Sequence, residues 1–194
     1  MIRNSIVSTT ATASVFLFAL GAVNFAIAQN GMIPANLPAD QREIVEQSVK
    51  FAKQYHEAAR QKNKIARQDA LKEHDTQLKA WLDQTNKKLA KEGIKEWVGT
   101  ATITTQIVTI ENRIFLDGSA TGGSYTAVKV TFPAAGLAPQ VREQVGKLKK
   151  NETVRVSFAQ DSNDPLVFAK STLTSIHAQM KSGKSIASIS AAGN

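Results

Sequence analysis

The 194-residue sequence predicts an α+β chain: a long helix or a helical hairpin, followed by a small five-stranded β unit. Two observations carry this. Residues 40–92 contain neither Gly nor Pro and are dominated by Ala, Gln, Lys, Glu and Leu, which enter a helix at little cost. From Trp97 the pattern turns abruptly β-branched and alternating, beginning with EWVGTATITTQIVTIENRIFLDGS over 96–119.

Ahead of both, residues 1–28 read as a secretory signal peptide. Arg3 supplies the n-region charge, SVFLFALGAV the apolar run, and Ala26-Ile27-Ala28 the small-x-small cleavage pattern before Gln29. The apolar run is interrupted by Asn24 and is shorter than the roughly 20 residues that span a bilayer. The expectation is therefore cleavage after Ala28, a periplasmic or secreted location and no integral span in the mature form. The chain has no cysteine, which excludes disulfides, thiolate metal sites and a lipid-modified N-terminal cysteine. Its formal net charge is +8, and removal of Arg3 with the signal leaves +7. Such a balance favours acidic partners (nucleic acid, anionic lipid or acidic protein) through attraction that salt weakens.

The helical segment is expected over 40–93. Asp40 is placed to cap it, Glu43 to reach back as in a capping box, and Gly93 to stop it. A continuous helix of this span would be about 80 Å long. Its apolar positions form two stripes, one through Ile44, Val45, Val49, Phe51, Ala52 and Tyr55, the other through Leu71, Leu78, Trp81, Leu82 and Leu89. Between them RQKNKIARQDA offers only Ile65, Ala66 and Ala70, so this stretch is a solvated turn of helix or a hairpin bend. A hairpin lets the stripes bury each other, whereas a single helix needs a coiled-coil partner or projects alone. Over residues 40–96, 13 bases alternate with 10 acids, the signature of a solvated helical face.

In the β unit, WVGTATITTQIVTI reads as one long strand with Gly99 at a bend, and Glu111-Asn112 as the turn into RIFLD. GSATGGS is a connection, YTAVKVTF a third strand, and LAPQVREQVGKLKK a short helix with Val141, Val145 and Leu148 on one side. TVRVSF and LVFAKSTLTSI follow as strands four and five.

Three strands, a helix and two strands is the element order of the OB-fold, a five-stranded Greek-key barrel. With GKLKKNETVRVSFAQ at the position of its helix, turn and fourth strand, the segment 97–176 resembles the bacterial tRNA-anticodon-like OB family, including secreted members. Asn151 stands where many relatives carry a turn glycine. An SH3-like barrel is the structural rival. The resemblance implies ligand binding on the face of strands two and three and on the loops joining strands one to two and four to five.

Alternation turns Val128, Val130, Phe132, Val154, Val156 and Phe158 inward, and so turns Tyr125, Lys129 and Arg155 outward. Arg113 and Phe115 join them from strand two. These five are the candidate ligand-binding residues, because aromatic faces beside cations are what single-stranded nucleic acid requires. The bland alternative has Phe115 in the core, Tyr125 packing at a strand edge and the cations as ordinary surface.

The sequence offers little chemistry beyond binding. Gly183-Lys184-Ser185 lacks the earlier glycine of a phosphate loop, Ala178 standing in its place. His56, His74 and His177 form no metal-binding pair, and the first two are expected on the exposed helix surface. Asp161 and Asp164 flank a Ser-Asn turn. Neither an enzyme nor a cofactor is expected. The tail over 177–194 is read as disordered. The expected role is non-enzymatic binding in the cell envelope, with the helix mediating self-association or docking to an envelope protein. Single-stranded nucleic acid or another polyanion is the alternative ligand.

Overall fold

The computed structural model describes residues 33–116, 125–172 and 174–193, and the side chains of Phe115 and Tyr125 are outside this description. Residues 1–28, expected to be a secretory signal peptide, and the glycine-rich connection over 118–124 likewise lie outside the described residues. Among the described residues no helix is long and apolar enough to cross a membrane.

Two helices come first, α1 over Ala39–Ala59 and α2 over Lys64–Glu92. The break between them falls inside the apolar-poor stretch, so the segment is a hairpin. Asn63 restarts the helix, its side chain accepting from the amides of Ile65 at 2.9 Å and Ala66 at 3.1 Å. The stripes then meet each other: Phe51 lies 5.4 Å from Trp81, ring to ring, and Leu78, Leu82 and Leu89 join Ile44, Val45 and Val49 in the core.

Two expectations about this segment need correction. Asp40 and Glu43 form no capping box, because α1 begins at Ala39 behind Pro38 with no side-chain cap. They reach across the hairpin to Lys88 Nζ instead, at 3.4 and 3.1 Å, and the Glu43 hydrogen bond raises the Lys88 pKa. His74 is buried at the helix interface rather than exposed, with Nε2 3.0 Å from the Phe51 carbonyl and its ring edge-on to Phe51 and Tyr55.

Gly93 ends α2 as expected, its amide donating to Leu89 O at 2.8 Å with φ at 67°. The chain enters strand β1, Ile94–Ile103, without a linker. β2 is Ile107–Phe115 and β3 Tyr125–Pro133. The first turn therefore lies at Thr104–Gln106, and β2 runs straight through Glu111-Asn112. Its turn chemistry is a hydroxyl: Thr104 Oγ1 accepts the Ile107 amide at 2.9 Å. The strand irregularity also moves, from Gly99 to Ile94–Trp97, where Glu96 has φ 55°. Gly99 serves close packing instead, since a Cβ there would sit 2.7 Å from Ile110 Cγ2.

A 3-10 turn and helix α3, Pro139–Lys147, lead to β4, Thr153–Phe158. α3 buries Val141 and Val145, and β4 buries Val154, Val156 and Phe158, in the pattern the sequence predicts. The expected fifth strand is two short ones, β5 over Phe168–Lys170 and β6 over Ile176–Gln179. Residues 177–194, expected to be disordered, contribute the end of β6 and a further strand β7, Ile186–Ala191.

The result is a seven-stranded open mixed sheet in the order β5-β6-β3-β2-β1-β4-β7, in place of a closed five-stranded barrel. All pairs are antiparallel except β3 with β6. The sheet is strongly curled. Phe132 on β3 and Phe158 on β4 approach to 6.4 Å, although β2 and β1 lie between their strands. Three strand spacings in a flat sheet would set them about 14 Å apart. Trp97 on β1 stacks on Phe168 of β5 at 5.8 Å, which brings one edge strand over the middle of the sheet.

The hairpin is tied to the sheet by side-chain amides that complete backbone hydrogen bonding. Gln41 both accepts from the Val98 amide, at 2.8 Å, and donates to the Val98 carbonyl. Asn86 does the same to Phe168, at 2.8 Å in each direction. Ser48 and Thr126 share a buried hydroxyl contact at 2.9 Å. The link from β6 to β7 is held by Asp164, which accepts from the Lys181 and Ser182 amides at 2.8 and 3.1 Å and from Ser182 Oγ at 2.8 Å. Gly136 packs so tightly on the Ser182 carbonyl that no Cβ fits between them.

Candidate functional site

Strand pairing decides which candidate residues share a face. Lys129 on β3 stands opposite Glu111 on β2, Arg113 opposite Ala127, and Phe115 opposite Tyr125. Since Val128, Val130 and Ile110 are fully buried on the inner side, Glu111, Arg113 and Lys129 lie on the outer side. Arg155 lies there too, but on β4, opposite Val98 and two strands from β2. The side chains of Phe115 and Tyr125, the expected aromatic half of the site, fall outside the described residues.

Each cation of the outer face has an acidic neighbour. Glu111 accepts from Arg113 Nε at 3.2 Å and Nη2 at 3.1 Å, and Lys129 Nζ lies 3.3 Å from the same carboxylate oxygen. Arg155 pairs with Glu96 at 3.5 Å. Next to Lys129 in the parallel pair lies His177, with Nε2 2.9 Å from Thr131 Oγ1. Burial first, then the charge of Lys129, holds the His177 imidazole below its ordinary value of 6.5. This keeps it neutral at neutral pH. The outer face is thus a mixed-charge, hydroxyl-rich surface on a rigid ladder, and a polyanion binding there must compete with Glu111 and Glu96.

A second feature is concave. Where α2 ends, β1 begins and β4 ends, a groove of about 300 Å³ opens toward solvent. Leu89, Ile94 and Phe158 form its floor, and Pro165 with Leu166 one wall. Ile94 and Phe158 are register partners, so the floor is part of the sheet. Gln160, Asp161 and Ser162 supply a polar rim on the loop between β4 and β5. Asp161 shapes that loop by accepting the Asn163 amide at 2.8 Å. Asp164, its expected companion in the turn, points inward to the β6–β7 link and is almost completely buried.

An apolar floor with a few polar groups at the rim is suited to holding an apolar group by shape and burial. Sequence reasoning missed the groove, because its walls come from residues 89–94, 158–162 and 165–166, and DSNDP reads as a turn alone. Among the described residues, no three of His, Asp and Glu are placed to hold a metal ion. Compared with known proteins, the chain matches no family model, no curated protein and no solved structure.

Proposed function

We propose that the protein is an exported, non-enzymatic binding protein of the cell envelope that holds a partner protein by an apolar side chain seated in the groove. The observation that carries this reading is the groove itself: an apolar floor, about 300 Å³, set between the end of a helix and a sheet, with polar groups at its rim. Such a site suits one large side chain of a partner, with Gln160 and Ser162 available to its backbone. The export half of the reading rests on the signal-like residues 1–28.

The test is a photocrosslinking residue at Ser162, expressed in living cells. The reading expects a discrete protein adduct that disappears when Leu166→Asp places a charge on the groove wall. An adduct obtained from Thr109 on the outer face, and none from Ser162, would move the interaction to the sheet.

Single-stranded nucleic acid or another polyanion is the second reading, favoured by the placement of Arg113, Lys129 and Arg155 on one face. It expects oligonucleotide affinity that falls steeply with salt, and a tenfold or greater loss with Arg113→Glu and Lys129→Glu combined. Binding that ignores both salt and these substitutions would remove it.

A further inference from the structure

The averaged charge of the helical segment conceals a local concentration at the hairpin tip. Residues 60–67, RQKNKIAR, contain Arg60, Lys62, Lys64 and Arg67 and no acid. The nearest acids in sequence, Glu57 and Asp69, lie outside this stretch. The first turn of α2 carries no acidic residue either, although acids are what favour a helix start. In the middle of these cations Ile65 is 70 % exposed, against 43 % for Ile107 and 47 % for Val167, the other large apolar side chains left in water among the described residues. Asn63 fixes its place by accepting its backbone amide.

Among the described residues, the side-chain ties from the hairpin to the sheet, at Gln41, Ser48, Asp75 and Asn86, lie away from the tip. On α2 the ion pair of Asp75 with Lys170 of β5, at 2.7 Å, ties the helix down. Ile65 is ten residues nearer the tip, about 15 Å along the helix axis. A hairpin end that combines several cations with an exposed aliphatic side chain has the chemistry of a membrane-surface contact. Cations are drawn to anionic headgroups, and an aliphatic group is stabilised where headgroup meets acyl chain.

We propose that the hairpin tip, Arg60 to Arg67, docks on an anionic lipid surface. Nucleic acid fits it less well, because residues 60–67 hold no aromatic side chain on which a base would stack. The tip and the groove are separate surfaces, so the protein can meet a bilayer and a protein partner together, and either proposal can fail alone.

The test is flotation of the full chain with vesicles of phosphatidylcholine alone or with about one third phosphatidylglycerol, beside a single-stranded oligonucleotide in solution. Every variant keeps the same N-terminus, so the apolar stretch before Ala28 contributes equally to all. Binding is expected to require phosphatidylglycerol. The pair Lys62→Glu with Lys64→Glu should weaken it at least about 25-fold, at about fivefold for each cation near an anionic surface. Ile65→Ser should weaken it about threefold or more, and Lys150→Glu with Lys184→Glu, the same charge change outside the hairpin, much less than the tip pair. Since all these positions are exposed, the thermal unfolding curves should match wild type; if the tip pair lowers stability, Ile65→Ser carries the test. Equal binding to both vesicle types, or unchanged binding by the tip variants, overturns the proposal. Tighter binding of the oligonucleotide through the same cations reassigns the tip to nucleic acid and overturns it equally.

Discussion

Trp97→Ala should destabilise the protein by about 3–5 kcal/mol, the range for emptying a large buried aromatic site. Trp97 is completely buried and stacks on Phe168, so it joins β1 to β5, an edge strand four positions away in the sheet order. Its removal costs apolar burial and also the contact that keeps the sheet curled. Against a typical total of 5–15 kcal/mol, such a loss leaves little margin. The indole Nε1–H meets no acceptor among the described residues, so Trp97→Phe loses no hydrogen bond and should cost clearly less than alanine. Urea unfolding followed by circular dichroism measures both. A loss below about 1 kcal/mol for Trp97→Ala would mean that β5 does not cover β1.

Asp164→Ala should cost about 3 kcal/mol at neutral pH, because it strips three donors of a shared charged acceptor. Burial alone would raise the pKa of this carboxyl. The hydrogen bonds from Ser182, Lys181 and Gly183 outweigh that effect and hold it below the ordinary 3.8. A carboxyl whose folded pKa is depressed contributes its full stability above the unfolded value, and loses it as pH falls through the folded one. The gap between wild type and Asp164→Ala should therefore persist from pH 7 to about pH 4 and narrow below the ordinary 3.8. Urea midpoints across this range check the sign, and a gap that narrowed between pH 7 and 5 would assign the effect to another group.

What the sequence makes legible here follows the strength of its periodic patterns. The helical segment, its stop at Gly93, the valine faces of α3 and β4 and the placement of Lys129 and Arg113 on one side all follow from spacing alone. The turn at Thr104–Gln106 was hidden because a threonine hydroxyl does work usually marked by Gly or Asn. β7 was hidden for a different reason. Ile186 and Ile189 are three residues apart, which a regular strand would place on opposite faces, and its other residues are Ala and Ser. A register shift at Ser157/Phe158 brings both isoleucines inward, where they are buried. No local pattern announces such a shift. The same limit applies to the candidate site: alternation finds the outward cations, but their convergence with Glu111 depends on strand register, and the groove depends on three distant segments meeting.

Both the groove and the outer face rest on the sheet being one curled unit with the C-terminal segment bound into it. Ser185 O accepts the Ala159 amide at 2.7 Å beside the groove, and Thr153 O accepts the Ala192 amide at 2.9 Å at the far end of β7. Amide hydrogen exchange over residues 186–192 tests this most directly. The β7 amides donating to β4 should exchange at least about a hundredfold more slowly than free peptide, close to the amides of β4 itself. Exchange of the whole segment at the free-peptide rate would contradict it, leaving β4 an edge strand and the C-terminal segment an unattached tail.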